Sequence, residues 1–335
     1  MSTATADRFE APASSRAERL RKALIGTAPI FLVLLLLLVL IAIENPNFVE
    51  EPPVFLAFLK RAAPLVILAA GQYFVIVSGE FDLSVGSLVT VVVVVAARLS
   101  DGDAGNTWPV IALLLAMGVA VGLVNGLITT RLRVPSFITT LGMLLILAGA
   151  VFLWTNGAPR GALADNFREI GRLGIEDFPV LEQLPYSVMI MLVLGAGAIV
   201  LMRARWGRRL LALGDNEQAA RLSGVGVENM RTAAFILSGL SAAVAGILLG
   251  GFAGVSAQVG QGMEFEAITA VVLGGVALGG GRGTVLAAMA GALTLEALFT
   301  LLNLRGVSGA LEDTVQGIII IAAVAFASYR LRGAR

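Results

Sequence analysis

Glu80 and Asp82, in the run Glu80-Phe81-Asp82-Leu83-Ser84-Val85-Gly86, and Glu296, in Leu-Thr-Leu-Glu-Ala-Leu-Phe, place carboxylates inside or at the edge of strongly apolar sequence. An ionised acid at the centre of a hydrocarbon layer costs about 2.5–3.5 kcal/mol on the insertion scale. Each must therefore reach water, a cation or hydrogen-bond donors, or hold a proton. Such acids could carry a proton or cation. Asp82 also has a purely local use, capping the helix that follows with help from Ser84, where the helix dipole favours negative charge. Glu296 could line a path, pair with an arginine or sit protonated, and structural pairing or a subunit contact is the favoured reading. The chain has no Cys and no His, which excludes thiolate, disulfide, imidazole and His-ligated metal chemistry. No catalytic residue and no metal site is assigned. No G-x-x-x-x-G-K-[ST] loop occurs, since Gly279–Gly283 lacks the Lys and the following hydroxyl.

The elements that must position these groups are membrane helices. Hydrophobic residues make up 57% of the 335 residues and charged residues 14%, with mean hydropathy +0.89, well outside the range of soluble domains. About 20 apolar residues cross the bilayer as helix. That window predicts an all-α integral membrane protein with about ten spans, near 24–43, 61–78, 82–98, 108–128, 136–155, 186–203, 231–252, 266–281, 284–303 and 312–329. The eighth is short, the third begins ambiguously, and eight spans is the floor. Alternating the spans places 17 of the 24 Lys and Arg on one side, so both termini are expected in the cytoplasm. The net charge of +1 points to no nucleic acid. The expected division is a cytoplasmic tail over 1–22, a membrane domain over 23–330 with a cytoplasmic loop at 203–231, and a short tail at 331–335. The first apolar run is expected to stay as a helix rather than leave as a leader. Trp108, Trp154, Tyr186, Trp206 and Tyr329 fall near span ends, where amphipathic rings prefer to lie, while Tyr73 lies well inside one.

Spans two to five and seven to ten form blocks of similar length, offset by an odd number of spans and so opposite in orientation. Each carries a glycine-containing break, at Ser78–Gly86 and at Gly274–Gly283. This is the pattern of an inverted repeat, whose meeting place is where transporters put a substrate. Close packing of small residues accounts for most of the glycines in Gly246–Gly283, and bends or breaks for the rest.

The polar island from Arg203 to Arg231 has helical order of its own. Gly214, Asp215 and Asn216 make a break and an N-cap, Glu217–Leu222 forms one or two turns, and Ser223-Gly224 stops them. Ala219 and Ala220 offer a small-residue face for a partner. The island resembles the coupling helix, G-x-N-x-x-A-A-x-x-x-G, of permease subunits of ribose-type ATP-binding-cassette importers. The run from Asp82 to Gly86 resembles that family's G-G-x-D-L-S-V-G, with Glu80 in place of the second glycine. Val134–Gly142 and Trp154-Thr155-Asn156-Gly157 resemble its P-x-F-I-x-T-L-G and T-N-G segments. The four phrases occur in the family's order over about residues 60–329.

The resemblance implies half of a monosaccharide path in the bacterial inner membrane. A second permease chain, identical or different, would complete the path, and an extracytoplasmic sugar-binding protein would deliver the substrate. A separate ATPase subunit would bind ATP and Mg²⁺ and grip Gly214, Asp215, Asn216, Ala219, Ala220 and Gly224. Arg208, Arg209 and Arg221 would meet that ATPase, with anionic membrane lipid as an equal explanation for the first two. Asp82, Ser84, Asn125, Thr139, Thr140, Asn156 and Glu296 are the candidate path residues. The alternative is an ion-coupled secondary transporter using Asp82 or Glu296.

Overall fold

The computed structural model describes residues 16–322 except 179–181, 308, 310, 313 and 320. The chain opens with α1 (Arg16–Glu44), a short α2 (Asn47–Glu50), α3 (Pro52–Val77), α4 (Val85–Ser100), α5 (Thr107–Arg131) and α6 (Ser136–Thr155). A surface segment follows, with α7 (Asp165–Arg172) and a hairpin of β1 (Gly174–Phe178) and β2 (Glu182–Pro185). Then come α8 (Tyr186–Arg203), α9 (Arg205–Asp215), α10 (Glu217–Leu222), α11 (Val227–Ala253), α12 (Met263–Leu273) and α13 (Val285–Leu304). Among the described residues six helices, α3, α5, α6, α8, α11 and α13, are long and apolar enough to cross a membrane, and α1 and α4 contribute shorter apolar stretches.

Prolines and glycines set the boundaries. Pro52 and Pro53 open α3, where their missing N–H groups cost nothing. Gly79, at φ +88°, ends it in a conformation that a side chain resists. The expected eighth span, 266–281, is corrected. Its helix is α12, 11 residues or about 16 Å long, and stops at Gly274 because Gly275, Gly280, Gly281 and Gly283 all adopt positive φ. The third span also starts later than expected, since residues 82–84 are not helical. Helix α1 begins at Arg16, inside the tail expected over 1–22, while residues 1–15, the tail 331–335 and positions 323–329 of the tenth span lie outside the described residues. The hairpin and α7 were not expected in an all-helical reading.

Helix α3 is the hub, buried on all sides from Ala62 to Val77. Helix α11 packs on it and on α5, where Gly118, Gly122 and Gly126 form a small-residue stripe. A Cβ on Gly122 would strike the Phe235 carbonyl, and one on Gly118 the Gly239 carbonyl. Such stripes let apolar helices approach closely where lipid removes the usual hydrophobic drive for association. Helix α6, by contrast, turns Phe137, Ile138, Leu145, Ile146, Phe152 and Leu153 outward, a face suited to lipid or another chain.

The connections sort to two ends. At one end Gly281 N–H donates to the Val77 carbonyl (2.9 Å), Phe81 N–H to Ser136 Oγ (3.1 Å) and Arg131 to Asn229 (3.2 Å). At the other, Gly102 N–H donates to the Ala162 carbonyl (2.9 Å), Lys60 to the Arg172 carbonyl (3.4 Å) and Arg305 to Glu44 (2.6 Å).

Candidate functional site

The island at the first end is two helices. Asn216 caps α10 by accepting from Ala219 N–H at 2.9 Å, Glu217–Leu222 is helical, and Gly224 at φ +79° follows the stop at Ser223. The preceding α9 was missed by sequence reading. It buries Gly207, Leu210 and Leu213 and leaves Arg208 and Arg209 exposed. Ala220 is also buried, packed into the chain's own core beside α11, so it cannot present a small-residue face to a partner. The other residues of α10 are all exposed, and Leu222, at 84%, is its large apolar side chain.

Two attachments hold the island to the membrane helices. Gly214 sits where any Cβ would strike the Val77 carbonyl and Gly281 N–H, and Gly280 lies against Gly79. The break after α3 and the break after α12 thus meet each other and the island at one point. The second attachment is electrostatic. Arg231, at the start of α11, places Nε 3.0 Å from Glu80 Oε1 and Nη1 2.9 Å from Glu217 Oε2. Arg221 adds bonds to Glu217 (3.2 Å) and Glu228 (2.7 Å). Partial burial pushes the Glu217 carboxyl up, but the Arg231 charge and hydrogen bonds from Arg221 and Arg231 outweigh it and hold the group below its usual value.

Beyond Glu80 the chain turns back into the bundle. Asp82 is 1% exposed and both of its oxygens are engaged: Ser84 N–H (3.0 Å) and Ser84 Oγ (2.6 Å) donate to Oδ1, and Ser238 Oγ (2.9 Å) donates to Oδ2. Asn125 Nδ2 donates to Ser84 Oγ at 2.9 Å, closing a knot between α4, α5 and α11. Ser238 is eleven residues into α11, about 16 Å from its start, so α4 begins well inside the layer rather than at its edge. Asp82 therefore does not cap α4 in the expected manner. It ties the approach to α4 onto α11.

The other side of α4 faces a cavity of about 680 Å³, whose lining includes Ser87, Thr90, Phe152, Gln258, Gln261 and Glu264 beside apolar residues such as Leu144, Val151 and Val255. Glu264, in the first turn of α12, is 7% exposed, and its carboxylate lies where a Cβ on Gly86 would be. Thr90 Oγ1 accepts from Gly260 N–H at 3.0 Å, fastening the 254–262 turn to α4.

The remaining candidates separate. Thr140 Oγ1 donates to the Ser136 carbonyl at 2.8 Å and faces the Phe81 carbonyl at 3.3 Å, so it supports the break. Thr139 is buried with no hydrogen-bond partner among the described residues. Asn156 ends α6 at φ +50°, in an exposed cleft with Arg98, Trp154 and Arg160. Glu296 lies 3.8 Å from Arg61, apart from the Asp82 knot. Sequence reading missed Arg231, Ser238 and Glu264. An acid between glycines and an apolar run, as in Gly262-Met263-Glu264, was the available signal for the last.

A family model described as branched-chain amino acid transport system / permease component matches residues 54–324. The ribose import permease protein RbsC of Escherichia coli (strain K12) is 37% identical over 295 residues, 88% of this chain and 91% of that protein. The ribose import permease protein RbsC of Bacillus subtilis (strain 168) is 35% identical over 302 residues, 88% of this chain and 90% of that protein. The autoinducer 2 import system permease protein LsrC of Enterobacter sp. (strain 638) is 34% identical over 297 residues, 87% of this chain and 83% of that protein. No solved structure matches the chain.

Proposed function

This chain belongs to the branched-chain amino acid transport system / permease component family, and from that premise we propose how a membrane-spanning transport subunit with this geometry moves a monosaccharide and answers to ATP. It forms half of the path, a second permease chain supplies the rest, an extracytoplasmic binding protein delivers the sugar, and a separate ATPase holds ATP and Mg²⁺. The island end is cytoplasmic, as the distribution of Lys and Arg favours. Ten crossings with both termini inside then follow if α12, with the 254–262 turn that precedes it, counts as one full crossing and 312–329 as the last. The breaks of the two blocks of an inverted repeat, Ser78–Gly86 and Gly274–Gly283, would then meet at the island end, where Gly281 N–H donates to the Val77 carbonyl.

The observation that carries this reading is the seating of Gly214 between the Val77 carbonyl and Gly281 N–H, with Arg231 bridging Glu217 to Glu80. A helix of six residues is not stable alone in water, but one bolted to both breaks moves them when it is pushed. Displacing α10 would shift the segment that leads to Asp82 and so tilt α4 against the cavity, a rigid-body transmission rather than a diffuse one. Leu222, rather than Ala220, is the anchor for the ATPase.

The ligand class is supported by the relatives' names and by the cavity. A free amino acid carries a carboxylate that needs a cation, and among the described residues no Lys or Arg lines the space beside α4. Hydroxyl, amide and carboxylate groups suit a neutral polyhydroxylated molecule. The test is uptake of labelled ribose into proteoliposomes holding permease, ATPase and binding protein, with a cysteine at Leu222 crosslinked to the ATPase in a chain that has no other thiol. Uptake that needs ATP and the partner ATPase is expected. Uptake by the permease alone, driven by a proton or sodium gradient, overturns the reading.

A further inference from the structure

We propose that the cavity beside α4 is a transient sugar site in which Glu264 accepts hydrogen bonds from two neighbouring hydroxyls of the passing monosaccharide. The proposal rests on the importer reading above and assigns the site within it. Glu264 is more than nine-tenths buried, yet no side-chain hydrogen bond or ion pair holds its carboxylate among the described residues. The groups turned toward it are its own backbone N–H and that of Gly262. A carboxylate has about four acceptor positions, so two backbone donors leave half of them open. The carboxylate lies against Gly86, at the edge of the cavity that Glu264 lines.

The rest of the lining supplies what a monosaccharide needs. Gln258, Gln261 and Ser87 add donors and acceptors, and Phe152 offers an apolar wall for the C–H face of a sugar ring. At about 680 Å³ the space exceeds a monosaccharide, which suits weak binding and release better than a tight fit. The site also lies on the moving part. Gly86 and Asp82 are four residues apart in one signature, so the turn that meets Glu264 continues directly into the knot on α11. Any side chain at 86 would displace the carboxylate, which explains why glycine stands there.

Accessibility decides it. A single cysteine at Ser256, which lines the same cavity but is given no part in binding, is labelled with a maleimide in the full complex with ATPase and binding protein while ribose is supplied. Ribose is expected to slow the labelling. Glu264→Ala should weaken that protection about 10- to 100-fold in ribose concentration, the value of hydrogen bonds to a charged group. Glu264→Gln, which keeps the shape and one acceptor, should lie between the two. Normal complex assembly of both variants, measured by size-exclusion chromatography, guards against misfolding. Labelling unaffected by ribose while the cysteine variant still imports it overturns the sugar site and leaves the importer reading standing. A wild-type complex that imports no ribose with ATP overturns both.

Discussion

Two buried carboxylates lie on either side of the start of α4 and are treated in opposite ways. Asp82 accepts three hydrogen bonds from Ser84 and Ser238, while Glu264 meets no side-chain donor among the described residues and borders a cavity. The difference is one of available lone pairs. An acid that takes most of its hydrogen bonds from side chains and backbone of its own fold holds helices together, and one that meets no side-chain donor and borders a cavity can receive a ligand. The island extends the first kind of region, because Gly214, Glu217 and Arg231 are all engaged with the break that leads to Asp82.

The strongest way to break this contrast is Asp82→Ala. It orphans the donors on Ser84 and Ser238, each at about 1–3 kcal/mol, so a loss of about 3 kcal/mol or more is expected, seen as a lowered thermal midpoint and poor yield of the purified permease. A variant that melts like the wild type but imports nothing would move Asp82 into the same class as Glu264. Gly214→Leu tests whether the island is bolted to the breaks. Overfilling that contact should cost about 1–3 kcal/mol and leave ATP hydrolysis running without uptake, whereas coupled transport at the normal rate would make the island a mere connector.

Acidity offers a finer probe. The folded Glu217 carboxyl is held below its ordinary value, so its stabilisation is complete above that value and is lost only as pH falls through the lower folded one. Because Glu217 is largely exposed, the effect should be under about 1 kcal/mol. Amide exchange across residues 217–222 should therefore show protection that is flat from neutral pH down to the ordinary carboxylate range and declines below it. Protection falling between neutral and that range would assign the island's docking to another group. The smallest change is expected at Glu296→Gln. Its ion pair with Arg61 is long and Arg61 is half exposed, so stability should fall by less than about 1 kcal/mol with uptake retained. Loss of uptake that Asp restores would return Glu296 to the path.

Much of the island was legible because its structure is local. Asn216 caps a helix over Glu217–Leu222 through a bond three residues long, and Gly224 follows its end by conformational preference alone. The apolar runs of α5, α6, α8, α11 and α13 were likewise visible, since crossing a bilayer demands a length and a composition that no other element shares. Where glycine breaks the backbone, the reading overran, as it did in taking 274–281 for helix. Composition there remains apolar while φ does not remain helical.

What the sequence by itself determined was the membrane class, the family phrases and the capped helix, all of which depend on composition or on neighbours a few residues away. Which face Ala220 turns, that Arg231 reaches Glu80 from 151 positions along the chain, and that Ser238 rather than the helix end receives Asp82 were decided only by tertiary packing. Periodicity assigns a residue to a side of its own helix. It does not say which distant helix will stand there, and the pairing of buried charges is settled by that neighbour.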